Sequence, residues 1–97
     1  FKLDRITRTV TCELENNQQL VELTTREFNL LEYLMRSPGR VFTRTQMLEH
    51  VWGYDSNPST NVVDVCIQRL RKKIDIKGQS RWIESVRGVG YRFRQAE

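Results

Sequence analysis

The stretch Asn61-Val62-Val63-Asp64-Val65-Cys66-Ile67-Gln68-Arg69-Leu70-Arg71-Lys72-Lys73-Ile74 decides how this chain is read. At about 100° per residue, Ile67, Leu70 and Ile74 fall within roughly 40° of Val63. Those four form an apolar stripe. Asn61, Val65, Gln68 and Lys72 fall within roughly 40° of the opposite direction, with Arg69 a little further round. Arg71 and Lys73 lie on the flanks. The spacing predicts an amphipathic helix from Thr60 or Asn61 to about Ile74, packed on one side and open on the other. Asp64 is its only acid. A solvated surface helix would more usually mix Glu and Lys at i,i+4.

The outward residues match the chemistry of base edges. Arg69 can donate two parallel hydrogen bonds to guanine, and Gln68 can pair with adenine. Val65 can pack on a thymine methyl, and Lys72 can reach a base or a phosphate. The charge distribution points the same way. Residues 1–68 carry seven Lys/Arg against nine Asp/Glu, whereas residues 69–97 carry nine against three. A positive field gathered at one end of a chain with net charge +4 suits a polyanionic partner.

Working outward, a three-helix core is expected between two β segments. Thr9–Glu15 alternates, Asn16-Asn17 reads as a turn, and Gln19–Leu23 returns, giving an N-terminal antiparallel sheet with a strand at residues 1–3. Thr24 to Glu27 has capping-box spacing and opens a helix carrying Phe28, Leu31, Leu34 and Met35, which Ser37-Pro38-Gly39 stops. Val41-Phe42 reads as a short apolar link. A second capping box, Thr43 to Gln46, opens a helix with Met47, Leu48, Val51 and Trp52, ended by Gly53. Residues 53–60 are a turn-rich loop. Beyond the helix at 61–74, Trp82–Val86 and Gly90–Arg94 read as strands of a hairpin. Arg87-Gly88-Val89-Gly90 forms its tight turn. An arginine at such a tip suits the negative potential of a narrow minor groove. The fold class is α+β.

The 97 residues are read as one domain. No apolar run is long enough to span a bilayer, and no signal peptide is visible. Cys12 and Cys66 are far apart and no Cys/His cluster exists, so no metal or other cofactor is expected. The cysteines are read as reduced, partly buried thiols, which points to the cytoplasm. His50 lacks a paired nucleophile and acid, and Gly88-x-Gly90 is too short for a nucleotide loop. The chain is not read as an enzyme. A module binding an acidic protein partner remains the rival to a DNA binder. A single-strand binder is disfavoured, since aromatics do not interleave with the basic residues of the helix.

Several blocks then carry a family resemblance. They are Leu23-Thr24-x-x-Glu27-Phe28-x-Leu30-Leu31, Pro38-Gly39-Arg40-Val41-Phe42-Thr43-Arg44 and Val51-Trp52-Gly53. Val63-Asp64-Val65-x-Ile67-x-Arg69-Leu70-Arg71-Lys72-Lys73-Ile74 and Val86-Arg87-Gly88-x-Gly90-Tyr91-Arg92-Phe93 complete them. In this order they resemble the C-terminal effector domain of bacterial OmpR/PhoB-family response regulators. The resemblance covers essentially the whole chain. It implies a winged helix-turn-helix that binds double-stranded DNA, with direct-repeat sites expected, in a two-component (phosphorelay) regulator of transcription. Residues 61–74 would be the recognition helix, with Asn61, Val65, Gln68, Arg69 and Lys72 at the bases. Arg87 would be the minor-groove residue of the wing. Arg44, Trp52, Arg71, Ser85 and Tyr91 would lie at the phosphate backbone, with Lys73 added to them.

The resemblance further implies that loop 53–60, through Tyr54, Asp55 and Asn57, touches RNA polymerase. A sensor kinase would act on a receiver domain that this chain does not contain, and two copies would pair in the full regulator or on DNA. Cys66 and Gln68 depart from the family pattern, which often has polar or basic residues there.

Overall fold

Two capping boxes set where the first two helices begin. Thr24 Oγ1 accepts a hydrogen bond from Glu27 N at 3.2 Å, and Glu27 Oε1 accepts one from Thr24 N at 2.9 Å. Thr43 and Gln46 repeat the arrangement at 3.1 and 2.8 Å. Each box satisfies two of the backbone donors that a helix start leaves without intrahelical partners. The protein is described from a computed structural model covering residues 2–14, 17–53, 61–74 and 82–94. Within it the order is β1 (Lys2–Asp4), β2 (Thr9–Leu14), β3 (Asn17–Glu22), α1 (Thr25–Met35), β4 (Val41–Thr43) and α2 (Arg44–Met47). A π-helical segment (Leu48–Trp52), α3 (Asn61–Ile74), β5 (Ile83–Val86) and β6 (Gly90–Phe93) follow.

β1, β2 and β3 form an antiparallel sheet in that order. Leu3 pairs with Val10, and Val10 with Val21, which puts one apolar row against the core. Asn17 is the first residue of β3 and pairs with Leu14. Asn17, read from sequence as half of a turn pair, is therefore a strand residue, and Asn16 lies outside the described residues.

The C-terminal sheet has three strands, in the order β4-β6-β5. Val41-Phe42, read from sequence as a link, belongs to β4 and pairs with Arg92 and Tyr91 of β6. A three-residue strand has no periodicity of its own, so only its distant partner reveals it. Gly90 makes this pairing possible. It lies opposite Thr43, and a Cβ placed on it would collide with the Phe42 carbonyl and meet Thr43 Cα at 3.0 Å. The expected second helix is also modified. It starts as α2 and widens into the π-helical segment, whose end Gly53 closes with φ +95°. Gly53 N donates to the carbonyls of Leu48 and Glu49. Such widened turns often lie at functional sites.

One core joins these elements. Val63, Cys66, Ile67, Leu70 and Ile74 of α3 are buried with Phe28, Leu30, Leu31 and Leu34 of α1. Val10, Val21 and Leu23 join the cluster from the N-terminal part of the chain, Met47 from α2, and Phe42, Ile83, Tyr91 and Phe93 from the C-terminal sheet. An ion pair adds to the α1–α3 contact. Lys73 Nζ donates to Glu27 Oε1 at 2.5 Å, and the Glu27 side chain is 3% exposed. Burial pushes the Glu27 carboxyl up, but the Lys73 ammonium and the Thr24 backbone outweigh it. The net shift is below the ordinary value.

Two outcomes follow from these contacts. Gly90→Ala should destabilise the domain by about 2 kcal/mol, because backbone rather than a flexible side chain must move. Denaturant titration checks this, and a change within about 0.5 kcal/mol would refute the close-approach argument. Glu27 has a lowered folded-state pKa, so its contribution is complete above its ordinary value of 4.5 and fades as pH falls through the folded value. Glu27→Gln should therefore remove part of the stability gained on raising pH from acid to neutral. Equal pH slopes in the two proteins would contradict it.

Candidate nucleic-acid interface

The outward face of α3 stands clear of the core. Asn61, Val65, Gln68, Arg69 and Lys72 are all exposed. Gln68, Arg69 and Lys72 make no hydrogen bond or ion pair to another described residue. Exposed Val65 is an apolar point within this polar face. Beside it runs a groove of about 360 Å³, lined by Thr24, Arg26, Trp52, Val62, Val65 and Arg69 among others. Arg26 lies over the Trp52 ring, 5.4 Å from its centroid, and donates to the Val51 carbonyl at 2.9 Å. Trp52 is thus half-buried at one border of the α3 face.

The hairpin presents the second feature. β5 and β6 pair in antiparallel register up to Val86 and Gly90, leaving Arg87, Gly88 and Val89 as the tip. Val89 N donates to the Val86 carbonyl at 3.0 Å. Gly88 takes φ +77°, a left-handed value that glycine adopts without a steric penalty. Arg87 is exposed, and Val89 near it is about half exposed.

Between helix and hairpin lies a polar cluster. Arg44 Nε donates to Asp64 Oδ1 at 2.8 Å, and the Tyr91 hydroxyl donates to the same oxygen at 2.5 Å. Arg71 donates through Nε and a terminal nitrogen to the Ile83 carbonyl, at 3.1 and 2.7 Å, and to Ser85 Oγ at 2.9 Å. The Arg44 and Arg71 guanidinium carbons stand 5.6 and 5.5 Å from the Tyr91 ring centroid. Burial pushes the Asp64 carboxyl up, but its bonds from Tyr91 and Arg44 bring it below the ordinary carboxylate value. Burial and the Asp64 carboxylate together push the Tyr91 phenol up. Near neutral pH the cluster therefore holds an ionised Asp64 and an intact Tyr91 hydroxyl.

The structure thus gathers Arg44, Arg71, Ser85 and Tyr91, which the sequence reading treats as phosphate contacts. Arg71 bonds to Ser85, and Arg44 and Tyr91 meet at Asp64, to which that reading gave no role. The signal was present as the lone acid of a basic helix. Lys73, from the same group, is instead held by Glu27. Tyr54, Asp55 and Asn57 lie outside the described residues. Cys66 is a free thiol, 6% exposed, and burial pushes its pKa up to about 11. His50 stacks on Tyr33 with centroids 4.0 Å apart. Among the described residues, no group of three or more His, Cys, Asp or Glu could hold a metal ion, and no helix is long and apolar enough to cross a membrane.

Comparison with known proteins agrees with this architecture. Residues 17–93 match the family described as "Transcriptional regulatory protein, C terminal". The response regulator MprA of Mycobacterium leprae is 46% identical over 86 residues, covering 89% of this chain and 38% of that protein. The DNA-binding domain of the response regulator AdeR, solved in complex with an intercistronic region, superposes with TM-score 0.82 at 32% identity. That match covers 97% of this chain and 93% of AdeR's. DrrB, an OmpR/PhoB homologue from Thermotoga maritima, gives TM-score 0.76 at 34% identity, covering 96% of this chain and 41% of DrrB's. The chain therefore spans about two fifths of the length of the longer regulators that it resembles. With most of its residues inside the family match and a winged-helix arrangement of helices and sheets, the chain belongs to the C-terminal domains of transcriptional regulatory proteins, the DNA-binding domains of OmpR/PhoB-type response regulators.

Proposed function

We propose that this domain reads double-stranded DNA by laying α3 in the major groove and the Arg87 tip in the adjacent minor groove. One observation carries the reading. The face of α3 opposite its buried stripe presents Asn61, Val65, Gln68, Arg69 and Lys72 together, and the hairpin tip presents an exposed arginine. Amides and guanidinium groups can satisfy the donor and acceptor pattern of base edges, and Val65 supplies the apolar contact for a thymine methyl. Arg44, Trp52, Arg71, Ser85 and Tyr91 border this face and set the register on the phosphate backbone. Lys73 is not counted with them, since the buried Glu27 carboxylate holds its ammonium, whereas the Arg44–Asp64 pair stays open to solvent.

The wider setting belongs to the same proposal. The domain acts as the output half of a two-component regulator in the cytoplasm. A sensor kinase acts on a receiver domain elsewhere in the regulator. Two copies bind a direct repeat, and loop 53–60, with Tyr54, Asp55 and Asn57, meets RNA polymerase. The sequence similarity to response regulators supports this setting.

Selection of bound sites from a random duplex library should yield a preferred sequence. On that sequence Arg69→Ala should lose about 1–3 kcal/mol and relax the preference at one base step. Unchanged affinity and preference would remove α3 from the groove. With on the order of five or six neutralised phosphates, log K should fall against log salt with a slope near −5. A slope near zero would refute the backbone contacts.

A further inference from the structure

The cluster around Asp64 does more than fill space between helix and hairpin. A single carboxylate oxygen joins three elements: Arg44 opens α2, Asp64 lies in the first turn of α3, and Tyr91 belongs to β6. Arg71 makes a second junction, from α3 to the Ile83 carbonyl and Ser85 Oγ of β5. Asp64 and Arg71 are seven residues apart. They project within roughly 20° of each other, about two turns along the axis. One attachment would fix a distance and leave tilt free. Two attachments on one side of a helix, one to each strand of the hairpin, fix a direction. The residues that face outward for base reading lie on a different side of the same helix.

The charge has a second consequence. Arg44 is the cation that α2 contributes, and its guanidinium is paired to Asp64. Without that carboxylate its full charge would be offered to any phosphate, whatever the sequence.

We propose that Asp64 is a positioning residue that sets the angle between α3 and the wing, so that the base-reading face and Arg87 enter adjacent grooves in one register, and that it restrains Arg44 from indiscriminate phosphate binding. The proposal rests on the groove geometry put forward above.

The test is a double-mutant cycle on the 97-residue chain. Wild type, Asp64→Asn, Arg87→Ala and the double variant are titrated against a selected duplex and a random duplex of equal length. Circular dichroism verifies that each is folded. Arg87→Ala should cost about tenfold on the selected duplex in the wild-type background. In the Asp64→Asn background it should cost less than about twofold, a coupling between residues that do not touch. Asp64→Asn alone should lose about tenfold on the selected duplex yet bind the random duplex about twofold more tightly, as the added net positive charge requires.

Equal costs of Arg87→Ala in both backgrounds would overturn the positioning role and leave the groove reading standing. So would an equal loss by Asp64→Asn on both duplexes, which is what general loosening would give. If Arg87→Ala costs nothing in wild type, the wing reading fails and the proposal with it. Should Asp64→Asn fail to fold, Tyr91→Phe removes only the hydroxyl that Asp64 accepts. Its cycle with Arg87→Ala must then show the same coupling, and additivity there overturns the proposal.

Discussion

Val63, Ile67, Leu70 and Ile74 are at most 1% exposed, so α3 cannot turn about its axis without carrying this stripe into water. Each such side chain contributes about 1.5–3 kcal/mol by burial, and a rotation would forfeit several at once. The presentation of Gln68, Arg69 and Lys72 is a consequence of that anchoring. None of the three needs a hydrogen bond within the described protein to keep it outward. The face is set by what the opposite side of the helix cannot leave.

Charge is sorted on the same frame. Glu27 of α1 is paired to α3 and Asp64 lies in the first turn of α3, and both stay ionised at neutral pH because cations and donors surround them. Within residues 69–97, Lys73 is taken by Glu27 and Arg92 by Glu84. The cations left for a partner are therefore fewer than the basic count of residues 69–97 suggests. They are also better placed, with Arg69 and Lys72 on one face and Arg87 at the hairpin tip. Electrostatic attraction alone does not discriminate between sequences, so pairing off the inner and flanking cations favours selectivity over bulk affinity.

The helices were legible because their signals are local. Thr24-x-x-Glu27 and Thr43-x-x-Gln46 announce starts, and the repeat from Val63 to Ile74 gives both length and facing. What escaped depends on partners distant in the chain. β4 exists through its ladder with β6, and nothing within Val41–Thr43 signals it. Gly90 reads as a turn residue, yet the approach of the Phe42 carbonyl is what excludes a side chain there. Lys73 is one of three consecutive cations in the sequence, and only the fold gives it a buried carboxylate. Asp64 was visible as an exception without a reason until Arg44 and Tyr91 were brought to it.

Cys66 shows how burial reassigns a position. The family resemblance leads one to expect a polar or basic side chain at this position, which lies between Val65 and Ile67, one outward and one inward. In this protein it turns inward. Its thiol is 6% exposed, and burial lifts its pKa to about 11, so it is protonated at neutral pH and packs as a small apolar group. Under the proposed reading, Cys66 contributes nothing directly to base recognition. Discrimination then falls on Gln68 and Arg69, whose amide and guanidinium prefer different purines. The departure at Cys66 thus places more of the sequence preference on the neighbouring departure at Gln68.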